Sequence, residues 1–260
     1  MAKFIYGRNN AFITELCKLK QKKHRDQTGL FYFEGLKLLR EALNSKYRGN
    51  IRHIIAKENT AGIAGTEDFE MTVVTDEVYG KITDEQGFQG VMCVMEKPKE
   101  SGFSYKKPVV ILCSVRDPGN VGAIIRTAEA VCGADIIVSD DSADVYSGKT
   151  QRAAMGAIFR QNIKISKNIA EDIANLKKNG YNVLAAHLDE DSRHIDEIGF
   201  GAKTAVAFGN EGGGLDADLT KLCDEKMIIP INPESESLNV SVAAGIVLWE
   251  IGKKQKKGGA

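Results

Sequence analysis

The strongest constraint on this chain is an alternation in its second half. Apolar runs of strand length, Val109–Ser114, Ile136–Val138, Val183–Ala186, Thr204–Phe208 and Met227–Ile229, are separated by helical patterns at Val121–Cys132, Ile169–Asn179 and Ala217–Cys223. A run that is apolar at consecutive positions has no polar face to offer water. It needs cover on both sides, which is the condition of a parallel strand lying between helices. The pattern predicts an α/β fold with a mostly parallel sheet. A last helix is expected from Leu238 to about Ile251.

The first half alternates less regularly. A basic helix is expected over Asn10–Lys23 and a second helix over Leu36–Asn44, with strands at Leu30–Phe33, Ile51–Ala56, Met71–Thr75 and Gly90–Met95. The Pro, Gly and charged residues around 98–107 suit a linker. The expected division is a smaller α/β domain over 1–97, a linker over 98–107 and a larger domain over 108–260, and 260 residues are enough for two cores. No internal repeat is present, and Lys253–Ala260 reads as a frayed basic tail.

Composition excludes some classes. No apolar run approaches the roughly 18 residues that cross a bilayer, so no membrane role is expected. The start, Met1-Ala2-Lys3-Phe4, does not lead into a secretory apolar stretch, and a cytoplasmic protein is expected. Cys17, Cys93, Cys113, Cys132 and Cys223 are odd in number and widely spaced, as reduced structural thiols are. His187 and His194 lie near Asp189, Glu190 and Asp191, but the spacing matches no metal-ligand set, and no metal is expected.

The formal net charge of zero hides an asymmetry. Residues 1–60 carry 13 Lys and Arg against 5 Asp and Glu, and the remainder carries 22 against 30. A basic end of this kind steers a polyanion even when the whole chain is neutral. Lys18, Lys20, Lys22, Lys23 and Arg25 form a candidate phosphate-contacting face, with Lys22, Lys23 and Arg25 its expected contacts to a nucleic acid. A solvated helix accounts for the same lysines, and Phe31 and Tyr32 beside them are expected in the core.

Three segments carry residue types that chemistry uses. Asp117-Pro118-Gly119-Asn120-Val121-Gly122, with Arg126 beyond it, follows an apolar strand, at the end where open α/β sheets bind ligands. Asn120 suits a helix N-cap, and Arg126, six residues on, need not share its direction. Phe208-Gly209-Asn210-Glu211-Gly212-Gly213-Gly214-Leu215 also follows a strand, and its glycines let a flat ligand lie against main chain, with Glu211 as an acceptor. This is not the dinucleotide fingerprint, because no Gly-x-Gly-x-x-Gly opens a helix in the first β-α-β unit. A redox cofactor is disfavoured. In the third segment, Ile229 to Gly245, Pro230 and Pro233 hold the chain open before Ser237 or Asn239 begins a helix rich in small residues. Capped turns and loops explain each segment singly. They do not explain the three in this order.

In that order the segments resemble the three motifs of the SpoU/TrmH family of RNA 2′-O-methyltransferases, within the SPOUT superfamily, over about residues 108–252. Residues 1–97 are similar, at Glu34-Gly35 and Gln89-Gly90-Val91, to the small ribosomal-protein-like substrate-binding domain of many members. The resemblance implies a C-terminal SPOUT domain threaded into a deep trefoil knot, an exception to the rule that chains avoid knots. It implies an S-adenosylmethionine pocket in the knot and a homodimer through the C-terminal helix and the first motif. Phe208, Gly209, Asn210, Gly212, Ile229, Ile231, Ser237 and Leu238 would hold the cofactor, largely through main chain. Asn120, Arg126, Glu211, Ser237 and Asn239 match positions associated with catalysis, and Arg126 would also face RNA. Asn232-Pro233-Glu234-Ser235-Glu236 departs from the pattern, in which a Gly more usually precedes the Ser-Leu-Asn-Val run.

The implied activity is methyl transfer to a ribose 2′-hydroxyl, with large-subunit ribosomal RNA the substrate that the extra N-terminal domain favours. The family's motif 1 Arg is commonly described as a general base. A guanidinium with a pKa above about 12 rarely releases its proton, so positioning of the hydroxyl and its neighbouring phosphate by Arg126 is a separate role from accepting the proton. A transfer RNA ribose methyltransferase and a non-catalytic RNA-binding factor with the same fold are the alternatives. No base-reading code is visible that would name the nucleotide.

Overall fold

The computed structural model describes residues 3–60, 62–84, 89–99, 103–189 and 191–257. Part of the expected linker (Glu100–Gly102), Glu190 and the last residues of the tail (Gly258–Ala260) lie outside the described residues. In chain order the first elements are β1 (Lys3–Ile5), α1 (Ala11–Lys18), α2 (Lys22–Thr28), β2 (Leu30–Glu34), α3 (Leu36–Leu43), β3 (Ile51–Lys57), β4 (Met71–Val74), α4 (Asp76–Ile82) and β5 (Val91–Glu96). There follow β6 (Val109–Leu112), α5 (Pro118–Cys132), β7 (Asp135–Ser139), α6 (Gly148–Ala154), β8 (Ile163–Ser166), α7 (Ile169–Lys178) and β9 (Asn182–Ala186). The chain ends through β10 (Arg193–His194), β11 (Thr204–Phe208), α8 (Ala217–Leu222), β12 (Glu225–Ile228) and α9 (Val240–Lys257).

Two compact units form, one from Met1–Lys99 with Tyr146–Arg160 and the other from Glu100–Val145 with Gln161–Ala260. Among the described residues the first unit holds a mixed sheet in the order β1-β4-β3-β5-β2. One face is covered by α1 and α4, whose Ile13, Leu16, Val78, Tyr79 and Ile82 pack with Tyr32, Ile55 and Val94. On the β2 strand Phe31 meets Tyr146 at 4.8 Å between ring centroids, and Phe33 meets Phe159 at 5.1 Å. These aromatic contacts draw residues 146–160 out of the continuous 108–260 stretch and into the first unit.

The basic helix expected over Asn10–Lys23 is two helices. Asn10 caps α1 by accepting the N–H of Phe12 at 2.9 Å, and the chain turns after Leu19. Arg25 explains the break. Its guanidinium donates to the carbonyls of Leu19 at 2.6 Å and Lys20 at 2.8 Å, satisfying groups that the end of a helix leaves open. Arg25 is 4% exposed and is therefore not available to RNA, which corrects its assignment as an RNA contact. Lys22 and Lys23 remain exposed, and Phe31 and Tyr32 are buried. The short β1 and α4 carry too few residues for periodicity to reveal them.

Every strand pairing described in the second unit is parallel, in the order β10-β12-β9-β11-β6-β7-β8. The consecutive apolar residues of β6, β7 and β11 are buried on both faces, as the alternation predicts. Ile169, Ile173 and Leu176 of α7 pack onto one face with Val109, Ile111, Val183 and Ala205. The cysteines are free, and burial pushes the thiols of Cys113 and Cys223 up to about 12 and 11, in keeping with inert structural thiols.

Helices α5 and α9 cross at close range because α9 presents glycines there. A Cβ at Gly252 would stand 2.9 Å from both the Cγ1 and the carbonyl oxygen of Val131, and one at Gly245 would touch Thr127 at 3.9 Å. Helix α9 runs to Lys257, further than the frayed tail expected from Lys253, and Lys253 pairs with Glu250 one turn earlier at 2.7 Å. No described helix is long and apolar enough to cross a membrane.

Replacing Arg25 with Ala should destabilise the protein by about 1–3 kcal/mol, because two carbonyls lose their donors. Lys23→Ala should stay within about 0.5 kcal/mol of the parent. Urea denaturation of both variants checks this, and equal midpoints would show that Arg25 does not hold the α1–α2 turn.

Candidate active site

Strand register decides which loops meet. β11 lies beside β6 with Phe208 opposite Leu112, and the N–H of Cys113 donates to the carbonyl of Phe208 at 2.8 Å. The loops that follow these two strands therefore leave the sheet side by side. On the other side β9 separates β11 from β12, with Ala186 opposite Met227. The carboxyl ends of β9, β11 and β12 line a cavity of about 660 Å³. That falls within the roughly 300–1,000 Å³ of small-molecule sites, at the sheet end where such sites form.

Phe208, Gly209, Asn210, Gly212, Ile229, Ile231, Ser237 and Leu238 all line this one cavity, together with Glu211 and Asn239. Ala186, His187 and Leu188 line it as well and were not anticipated. They follow β9, and nothing in their own sequence marks them. Only the strand order, which puts β9 between β11 and β12, brings them there.

The glycine loop closes on itself. Asn210 and Gly214 exchange backbone hydrogen bonds of 3.0 and 2.9 Å, and the Asn210 carboxamide accepts the N–H groups of Gly212 at 2.6 Å and Gly213 at 3.1 Å. The side chain of Asn210 is thus spent on the loop itself. At Gly209 a Cβ would lie 2.0 Å from the carbonyl carbon and oxygen of Gly214. No side chain fits there, so the cavity wall at Gly209 is bare main chain.

A chain of hydrogen bonds joins the three segments. Asn239, at the start of α9, accepts the N–H of Ser241 at 2.9 Å and its hydroxyl at 2.6 Å. Its carboxamide oxygen is therefore committed, and its Nδ2 donates to Oδ1 of Asn120 at 3.1 Å. The Nδ2 of Asn120 then donates to Oε1 of Glu211 at 2.8 Å. Each amide orientation is set by the one before it. Glu211 stands at the end as an acceptor, a role that favours its carboxylate form. Burial alone would raise its pKa, but the Asn120 amide and the backbone N–H groups of Glu211, Arg116 and Asp117 hold it below the ordinary carboxylate value.

Asn120 is not the N-cap of α5. Asp117 is, accepting the N–H of Asn120 at 2.8 Å, and this releases the Asn120 side chain for the relay. Ser237 lines the cavity without joining the relay, and Arg126 is exposed on α5 with its guanidinium bonded to no described residue. Lys226 binds Asp189 at 2.7 Å and Asp191 at 2.9 Å, and no described group of side chains is arranged to hold a metal ion.

Residues 107–249 match the SpoU rRNA methylase family, and residues 10–93 match an MRM3-like substrate-binding domain. The chain is 31% identical over 96% of its length to a 23S rRNA (guanosine(2553)-2′-O)-methyltransferase of Bacillus subtilis, 99% of which is covered. It is 32% identical over 59% of its length to a tRNA (guanosine(18)-2′-O)-methyltransferase of Escherichia coli, with 67% of that protein covered. An AdoMet-bound rRNA methyltransferase structure from Sinorhizobium meliloti superposes with a TM-score of 0.84 at 30% identity, covering 97% of this chain and 98% of that one.

Gly209→Ala should cost about 1–3 kcal/mol, whereas Gly213→Ala, where a Cβ meets nothing within 4 Å, should resemble the parent. Chemical denaturation of the pair decides it, and an unperturbed Gly209→Ala would mean that the loop opens freely. The lowered native pKa of Glu211 adds stability that is complete above its ordinary 4.5 and is lost as pH falls through the lower native value. Glu211→Gln should therefore flatten the acid limb of a stability-versus-pH curve. A limb identical to that of the parent would show that Glu211 is not held ionised.

Proposed function

Since the chain belongs to the SpoU rRNA methylase family, we propose that it transfers a methyl group from S-adenosylmethionine to a ribose 2′-hydroxyl of large-subunit ribosomal RNA in the cytoplasm. The observation that carries this is the cavity at the ends of β9, β11 and β12, with Glu211 in its wall tied through Asn120 to Asn239. The cavity fits the cofactor: bare main chain at Gly209 admits a flat group, Phe208, Ile229 and Leu238 give apolar walls, and the Glu211 carboxylate suits a cation. Bound there, S-adenosylmethionine would supply an electrophilic methyl group on a positively charged sulfur. The trefoil knot implied by the resemblance belongs to this reading.

The chain's own residues position the acceptor. The relay fixes Asn120, and with it the first turn of α5, against the cavity wall. Arg126 leaves that helix with all its donors open, suited to hold the ribose hydroxyl and an adjoining phosphate. Full-length likeness to a ribosomal RNA enzyme supports ribosomal RNA over transfer RNA, since the transfer RNA relative matches only 59% of this chain. The intact relay argues against a non-catalytic factor.

The protein acts as a homodimer through α9. Val242, Ile246 and Trp249 recur at helical spacing and are 50%, 36% and 56% exposed, whereas Ala244, Val247, Leu248 and Ile251 fill the opposite, buried face. An apolar stripe of this kind on one helix suits a second copy of itself across a two-fold axis.

Isothermal titration should show S-adenosylmethionine binding, and Arg126→Lys should lower single-turnover ribose methylation by about a hundredfold or more with cofactor binding unchanged. Near-normal rates in that variant would remove Arg126 from the chemistry. Trp249→Lys should shift the protein from dimer to monomer in analytical ultracentrifugation, and a monomeric parent would end the dimer proposal.

A further inference from the structure

Beside the relay is a cation that the motif pattern does not single out. Arg116 lies between the end of β6 and the cap of α5, with its backbone N–H near enough to the Glu211 carboxylate to help lower its pKa. The loop that carries it is held in an uncommon shape. Ser114 has φ of 56°, a left-handed conformation that side chains other than Gly seldom adopt, and a set of polar contacts maintains it. The N–H of Ser114 donates to the hydroxyl of Ser139 at 2.8 Å, and the N–H of Val115 donates to that of Ser142 at 3.0 Å. Asp141 accepts the hydroxyls of Ser114 and Ser139, each at 2.6 Å.

Each oxygen of Asp141 accepts one of these hydroxyls. The Arg116 guanidinium comes only to 3.6 Å from Asp141, beyond hydrogen-bond range, and its side chain is 69% exposed. Glu211 is likewise engaged by Asn120 and by backbone N–H groups, and Asp117 by the N–H of Asn120. The carboxylates around Arg116 thus have their own donors, while the Arg116 guanidinium keeps only a long ion pair to Asp141 and donates no hydrogen bond among the described residues. A planar guanidinium in that condition suits a bidentate phosphate.

We propose that Arg116 binds a phosphodiester of the RNA substrate next to the nucleotide brought to Asn120 and Glu211, with Asp141, Ser114 and Ser139 positioning the loop that carries it. This rests on the function proposed above. Arg116 then works alongside Arg126 from a neighbouring part of the same motif: one arginine projects from the loop, the other from the helix.

The test is binding of a labelled single-stranded RNA by the full chain across a salt series, with S-adenosylmethionine titration and thermal melting as controls. Arg116→Gln should weaken RNA binding about tenfold and reduce the slope of log affinity against log salt by about 0.7, the share of one phosphate contact. Arg116→Lys should restore the slope but only part of the affinity, because an ammonium lacks the fork. Cofactor affinity and melting temperature should match the parent in both. An unchanged affinity and slope in Arg116→Gln, with the parent binding RNA and methylating it, would overturn this inference alone. A parent that binds no RNA would overturn it together with the proposed function.

Discussion

The structure depends on a one-way series of hydrogen bonds that starts in the first turn of α9 and ends on Glu211. The backbone N–H of Ser241 fixes Asn239, Asn239 fixes Asn120, and Asn120 fixes the carboxylate. Reversing any amide would set like groups against each other, so the series has a single polarity. It draws together residues 91 and 119 positions apart in the chain. The lowered pKa of Glu211 follows from the same geometry, because burial of its charge is outweighed by the donors that converge on it together.

Close backbone approach makes that series possible. Gly209 lets the second loop fold flat onto Gly214, and Gly245 and Gly252 let α9 settle against α5. With larger side chains at the crossing, the first turns of the two helices would stand further apart and Asn239 would lose its reach to Asn120. The glycines are thus preconditions of the polar contacts.

Much of the second unit was legible from sequence. A run such as Thr204–Phe208, apolar at consecutive positions, has only one comfortable environment, and the strand formed with the expected bounds. The first unit was less legible. The lysines and Arg25 looked alike as positive charges, yet Arg25 closes a helix end in the interior, a distinction that depends on where the Leu19 and Lys20 carbonyls point. Residues 146–160 offered apolar and aromatic side chains but no sign that Phe31 and Phe33 would receive them.

By itself the sequence determined the chemistry available at each strand end: a bare glycine at 209, a carboxylate at 211, amides at 120 and 239, and an arginine at 126. It also determined that the strands would be parallel, since their faces had no polar side. Only the tertiary structure decided which ends are neighbours. The order β12-β9-β11-β6 brought in Ala186, His187 and Leu188 and left Asn120 and Arg116 beside Glu211. Local side-chain chemistry is carried by each residue. Adjacency between distant loops comes from the pairing of strands whose hydrogen-bonding edges are the same for every sequence, and it is therefore fixed only when the whole sheet assembles.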